Sequence, residues 1–137
     1  DVIYVVNESE IAKTEGVVKT ESGLCYKVIT AGKGAIPTKT DKVKVNYRGT
    51  LITGVDANGN LIAGREFEVG KQTVMAVNAV IAGFAEGLKK MHKSGKYLLY
   101  IPYQLGYLGL GQGAKGTMGY IPPYSTLIYE VELIDVF

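Results

Sequence analysis

One stretch limits the folds open to this chain: Asn78-Ala-Val-Ile-Ala-Gly-Phe-Ala-Glu-Gly-Leu88, a segment with helical spacing in a sequence otherwise patterned for strands. Val80, Ile81, Phe84, Ala85 and Leu88 recur at helical spacing and make a broad apolar face. Asn78 is placed to cap the start, its side chain accepting from an N–H of the first turn. Lys89, Lys90, His92 and Lys93 follow, where positive charge suits a helix C-terminus. Gly83 and Gly87 each cost about 1 kcal/mol relative to Ala. A helix of about three turns carrying two such residues does not persist alone. Strands on either side must cover its apolar face.

Those strands are readable. From Asp41 to Leu51, Val43, Val45 and Tyr47 alternate with Lys42, Lys44, Asn46 and Arg48, the period of a half-buried antiparallel strand. Leu24–Thr30 reads as a strand with Leu24, Tyr26 and Val28 on one face, Gly95–Tyr103 as a dense central strand closed by Pro102, and Thr126–Phe137 as the last. Arg65–Glu68 reads as a short strand, and Gly70–Val77 as a turn leading into another. Asn58-Gly59 is a strong hairpin signal. Val2–Val6 reads as a strand or the end of a linker helix, and Asn7–Ser22 as a polar lead-in. The sum is an α+β domain in which five or six antiparallel strands wrap one short helix.

The length of 137 residues fits one domain. A net charge of +2 is too balanced to call for nucleic acid or an anionic membrane. No apolar run is long enough to span a bilayer. Cys25 stands alone, which excludes an intrachain disulfide and a thiolate zinc site. Asn7-Glu8-Ser9 fits the glycosylation sequon, a short pattern with little weight.

Little in the sequence suggests acid–base or metal chemistry. Asp56, Asn58 and Asn60 place oxygens at alternate positions, but Leu61 and Phe67 stand where a calcium loop needs Gly and Glu. In Gly111-Gln-Gly-Ala-Lys-Gly-Thr117, Gly116 separates Lys115 from Thr117 and no helix pattern follows, so the phosphate-loop pattern fails. His92 sits among lysines as a solvated surface residue, and Lys89, Lys90, Lys93 and Lys96 read as a solvated helix end rather than a nucleic-acid contact. A long loop, Gln104–Pro123, carries six glycines, and such loops are often functional. Tyr47, Phe67, Phe84, Tyr107, Ile121 and Tyr129 lie near predicted loops, where periodicity does not separate pocket from core.

Several pieces in fixed order resolve that ambiguity: Ser22-Gly-Leu-Cys-Tyr-Lys-Val28, Val45-Asn-Tyr-Arg-Gly-Thr-Leu51, Phe67-Glu68, the helical segment 78–88, Tyr100-Ile-Pro102, Tyr107, and Ile121-Pro-Pro-Tyr-Ser-Thr-Leu-Ile-Tyr-Glu-Val-Glu-Leu133. With them the chain resembles the FK506-binding-protein family of peptidyl-prolyl cis–trans isomerases, from about Glu15 to Val136. It looks most like the bacterial branch that includes the macrophage infectivity potentiator. The resemblance implies a sheet wrapped around one short helix, with a proline pocket between them. It assigns catalytic positions to Tyr47, Phe67, Glu68, Ile81, Phe84, Tyr107 and Tyr129, and substrate-binding positions to Met75, Val80 and Ile121. In the family the isoleucine matched by Ile81 turns its backbone N–H to the ligand, and the tyrosine matched by Tyr107 donates its hydroxyl to a bound carbonyl.

The same resemblance implies no cofactor and no metal. Its partners are proline-containing peptides and unfolded proteins, with weak affinity for the FK506 macrocycle, because Glu68 replaces Asp, Met75 replaces Phe and Phe84 replaces Trp. The alternative function is a chaperone-like or partner-binding module that keeps the pocket with little turnover. Residues 1–21 are expected to be a lead or linker remnant and 22–137 the isomerase domain. A bacterial envelope or periplasmic location is expected, with the cytoplasm as alternative, and dimerisation through an N-terminal region outside this chain.

Overall fold

The computed structural model describes residues 11, 16–57 and 61–137. Among the described residues six strands run in chain order: β1 (Val17–Lys19), β2 (Cys25–Thr30), β3 (Lys42–Val55), β4 (Leu61–Ala76), β5 (Lys96–Ile101) and β6 (Leu127–Val136). They form one antiparallel sheet in the order β1-β2-β5-β6-β3-β4. An α-helix, α1 (Ala82–Leu88), packs against the sheet. Among the described residues no helix is long and apolar enough to cross a membrane.

Alternation placed the main strands, and the sheet departs from it in three places. β4 is one strand of 16 residues rather than two short ones. The turn expected at Gly70 is a bulge: Tyr47 pairs with Gly70 but Val45 with Thr73, so the extra residue is absorbed in register. Gln72 takes φ 47° there, and its N–H donates to Asn46 Oδ1 at 2.8 Å. The second departure is β1, which lies inside the expected polar lead-in and pairs Val17 with Lys27. Three residues in a polar context carry too little period to be read as a strand. The third is the far face of the sheet. Leu127, Tyr129, Val131 and Leu133 do face the core, but Ile128 is also buried, in a second cluster with Ile11, Cys25, Ile52 and Tyr100. β3 and β4 pair as far as Val55 with Leu61, while the hairpin residues Asn58–Asn60, like the sequon and the Val2–Val6 run, lie outside the described residues.

The helix is shorter than its apolar period implied. Val77–Ala79 forms a 3-10 turn, and Val80 and Ile81 are extended, with ψ 167° and 151°. Asn78 therefore caps nothing, and Ile81 occupies the N-cap position without a side-chain hydrogen bond. β-Branched residues lose side-chain freedom in a helix and are at ease in extended backbone. Gly83 and Gly87, costly on propensity, have a steric reason. A Cβ on Gly83 would stand 2.5 Å from Ile101 Cγ2, and one on Gly87 would stand 2.5 Å from Leu99 Cδ1. The two glycines let the helix lie directly on β5, and Phe84 and Leu88 are buried beside them.

The charged end of the helix is also more tied down than a solvated face. His92 is half-buried with Nδ1 3.0 Å from the Gly34 carbonyl oxygen. Lys93 reaches Asp135 at 3.2 Å and Lys96 reaches Glu130 at 3.1 Å. Both pairs are well exposed, so each is worth about 0–1 kcal/mol.

Candidate active site

Where the start of α1 faces β3, β4 and β6, the sheet leaves a cavity of about 340 Å³ lined by Tyr47, Glu68, Met75, Ala79, Val80, Ile81, Phe84, Tyr107 and Tyr129. Eight of the ten residues assigned from the resemblance stand on this wall, and Ala79 joins them. Phe67 and Ile121 do not line it. They are 5% and 2% exposed and belong to the core behind it. Phe67 is turned inward by packing: its ring meets Tyr129 edge-on at 5.6 Å. Gly49 makes room for that contact, since a Cβ there would lie 2.7 Å from Phe67 and 2.8 Å from Tyr129.

The floor is an aromatic box. Phe84 meets Tyr129 at 4.9 Å and 87°, and Tyr47 at 5.9 Å and 84°. These edge-to-face contacts are the arrangement that ring quadrupoles favour. Gly70 clears the outer side of Tyr47, where a Cβ would come within 2.2 Å of the ring. The rings are thus fixed by close contact on both sides, and two glycines of the sheet set how close.

One carboxylate enters this apolar box. The Tyr47 hydroxyl donates to Glu68 Oε2 at 3.1 Å and the Tyr129 hydroxyl to Oε1 at 3.0 Å. The Tyr129 hydroxyl on the last strand and the Tyr47 hydroxyl on β3 thus hold the glutamate side chain at both oxygens. The sequence contains Glu68 and Tyr129, but nothing in it says that they meet across the cavity.

The same geometry keeps the phenols protonated. Burial, followed by the negative charge of Glu68, pushes Tyr47 up to about 12. Tyr129 is driven well above the ordinary tyrosine value by burial, then by Glu68 and Tyr107. Tyr107 rises through burial and Glu68, while its hydrogen bond with Tyr129 pulls it down. At physiological pH all three remain neutral O–H groups, able to donate.

Tyr107 belongs to the long loop. After β5, Tyr103–Leu105 makes a 3-10 turn. Gly111 N–H donates to Tyr107 O at 3.1 Å, and Gln112 and Ile121 exchange backbone hydrogen bonds of 2.9 and 2.7 Å. The loop is therefore a closed structure on the cavity rim. Leu108, Leu110, Met118 and Tyr124 stay exposed along it.

Residues 33–134, which include every residue of the cavity, match the family of FKBP-type peptidyl-prolyl cis-trans isomerases. Over 127 residues, 93% of its length, the chain is 44% identical to the FKBP-type 22 kDa peptidyl-prolyl cis-trans isomerase of Escherichia coli K12, and it covers 56% of that protein. It is 42% identical to FkpA of the same organism over 93% of its own length and 43% of FkpA. The crystal structure of FkpA superposes with a TM-score of 0.76 at 39% identity, covering 94% of this chain and 55% of that one. A peptidyl-prolyl cis-trans isomerase of Pseudomonas syringae superposes at 0.77 with 27% identity, covering 94% and 86%. The chain spans about half the length of the curated relatives it matches. With the family match running through the whole aromatic cavity, and the same sheet-and-helix fold in solved relatives, the chain belongs to the FKBP-type peptidyl-prolyl cis-trans isomerase family.

Proposed function

We propose that this domain catalyses cis–trans rotation about X–Pro bonds of peptides and unfolded proteins, using the cavity at the start of α1. The observation that carries the reading is the cavity's make-up: phenols, a phenylalanine, aliphatic side chains and one carboxylate held by two of the phenols. Rotation faces a barrier of roughly 18–20 kcal/mol because amide resonance must break. The twisted amide has less charge separation than the planar one. An apolar cavity therefore disfavours the planar state relative to the twisted one, and the walls grip the proline ring and hold the flanking chain in a turn. The Tyr107 hydroxyl and the Ile81 N–H are the groups that orient substrate carbonyls. Glu68 holds Tyr47 and Tyr129 rather than moving a proton. Phe67 and Ile121 act by supporting the wall from the core.

The test is a protease-coupled or NMR-exchange assay on proline peptides. Catalysis above the uncatalysed rate, reduced in Tyr107→Phe, is the expected result; an uncatalysed rate at high protein concentration sinks the proposal. Met75 and Phe84, in place of larger aromatics, leave a roomier cavity, and we expect weak affinity for the FK506 macrocycle, measurable by titration calorimetry.

A second reading has its own observation. Leu108, Leu110, Met118 and Tyr124 are each more than half exposed on the loop, as in a surface that holds unfolded chains. Binding of a proline-free unfolded protein that is indifferent to Tyr107→Phe would favour this holding function over turnover. We place the isomerase domain at residues 22–137, with 1–21 as a lead whose Val17–Lys19 supplies the edge strand. An envelope location, and dimerisation through a region outside this chain, rest on the resemblance to the bacterial branch. Fractionation and analytical ultracentrifugation of the whole protein test them.

A further inference from the structure

Arg65 lies on β4, away from the cavity wall, and reaches across to the long loop. Its Nη1 donates to the Met118 carbonyl at 2.8 Å and its Nη2 to the Tyr120 carbonyl at 2.5 Å. The guanidinium also sits 6.0 Å above the Tyr120 ring. A planar fork that serves two carbonyls two residues apart fixes both the height and the direction of the strand that carries them. A lysine, with one point of charge on a flexible stem, does not reproduce this.

What the fork holds leads directly to the cavity. Tyr120 precedes Ile121, which exchanges two backbone hydrogen bonds with Gln112, and the neighbouring Gly111 donates to the Tyr107 carbonyl. Leu108, next to Tyr107, accepts from the Tyr124 N–H at 2.9 Å. The loop tip beyond this ladder, residues 113–119, is exposed and its side chains bury little. Ile121 is anchored in the core, but Met118 is exposed and Tyr120 only half-buried, and polar contacts to their backbone hold this part of the returning half.

We propose that Arg65 is a positioning residue of the isomerase site: by clamping Met118 and Tyr120 it holds the Gln112–Ile121 ladder closed, and so keeps the Tyr107 hydroxyl directed at the cavity. The proposal rests on the isomerase reading of that cavity. Releasing the clamp lowers the fraction of molecules with Tyr107 in place, and apparent affinity falls by that fraction.

Arg65→Met keeps the aliphatic stem and removes the fork; Arg65→Lys keeps the charge. We expect KM for a proline peptide to rise about five- to tenfold in Arg65→Met with kcat nearly unchanged. Arg65→Lys should recover only part of the loss. In a Tyr107→Phe background the Arg65→Met effect should shrink to less than twofold, because the clamp acts through that hydroxyl. A merely structural arginine would lower the thermal midpoint and the active fraction and leave KM alone. Native-state hydrogen exchange supplies a readout independent of turnover: the Gln112 and Ile121 amides should exchange at least tenfold faster in Arg65→Met, while the β5 and β6 amides hold. An unchanged KM, or the same KM change with and without Tyr107, overturns the proposal. So do unchanged Gln112 and Ile121 exchange rates. If the wild-type protein has no activity, the isomerase reading fails separately, and the exchange rates still report whether Arg65 closes the loop.

Discussion

The two sides of the cavity are built on different physics. On the sheet side, Tyr47, Phe84 and Tyr129 are locked by edge-to-face contacts, with Phe67 behind them and glycines setting the clearance. On the loop side, the Tyr107 carbonyl accepts a backbone hydrogen bond from Gly111, and an arginine from another strand holds the Met118 and Tyr120 carbonyls across the loop. Packing of the first kind is dense and admits no small adjustment. Hydrogen bonds of the second kind net about 0.5–1.5 kcal/mol each and open locally without unfolding the rest. A cavity made this way has a rigid floor and a rim that can open locally. Substitutions on the floor should therefore move stability and turnover together, and those on the rim should separate them.

The most severe break of the floor is Phe84→Ala. Phe84 is 3% exposed and touches both Tyr47 and Tyr129, and its loss removes the shared partner of the box. We expect a loss of about 3–5 kcal/mol in urea unfolding, with no isomerase activity in the fraction that folds. If stability falls and turnover persists, the floor is not the place where proline is gripped.

Gly49→Ala is the subtler break, because it adds a single methyl behind the wall. The new Cβ meets Phe67 and Tyr129 at under 3 Å, so both rings must shift. The expected cost is about 1–3 kcal/mol, with a fall in kcat/KM although no cavity residue has changed. This site also shows what could be read in advance. The alternation in 41–51 located β3 and put Tyr47 on its inner face, because a period of two is a local property. The clearance at Gly49 and Gly70, and the contact of Gly83 and Gly87 with β5, depend on residues distant in sequence. Propensity therefore recorded the helix glycines as weaknesses, although they determine how closely the helix approaches. At Gly70 the local pattern reads as a turn where the sheet has a bulge, for the same reason: a glycine marks a break in local pattern, and only the partner strand shows whether pairing resumes. Arg65 gave no signal at all, since its acceptors are carbonyls, which every residue has.

Tyr129→Phe separates the ring from its hydroxyl. The box keeps its shape, but Glu68 Oε1 loses a donor. We expect about 1 kcal/mol of destabilisation and a drop in kcat/KM of a few fold. Pairing the change with Glu68→Asp tests whether the two positions form a matched set: the double variant should fall short of the sum of the singles. Strict additivity would mean that the longer carboxylate does not need the hydroxyl.

The next effect is absent at neutral pH. Tyr47 is raised from about 10 to about 12 by burial and by Glu68, so the folded protein keeps a proton that the unfolded chain releases. The stability contributed by the neutral phenol is fully present below pH 10 and is lost as pH rises from about 10 to about 12. Chemical-denaturation midpoints across this window should fall less steeply in Tyr47→Phe than in the wild type, and the two slopes should agree below pH 9. Equal slopes above pH 10 would place the Tyr47 hydroxyl in water rather than on Glu68.

The smallest expected change in stability is on the rim. Leu110 is 87% exposed, so Leu110→Ser should leave unfolding within about 0.5 kcal/mol of the wild type. Its value lies in the kinetics. If the exposed side chains of the loop contact the substrate beyond proline, KM should rise for a long unfolded chain and stay constant for a short proline peptide, with kcat fixed for both. A change in kcat would mean that the loop tip communicates with the aromatic floor, and the division between a packed floor and a hydrogen-bonded rim would fail at that point. An unchanged KM for both substrates would restrict the working rim to Tyr107 and the ladder behind it, leaving the exposed leucines outside the catalytic surface.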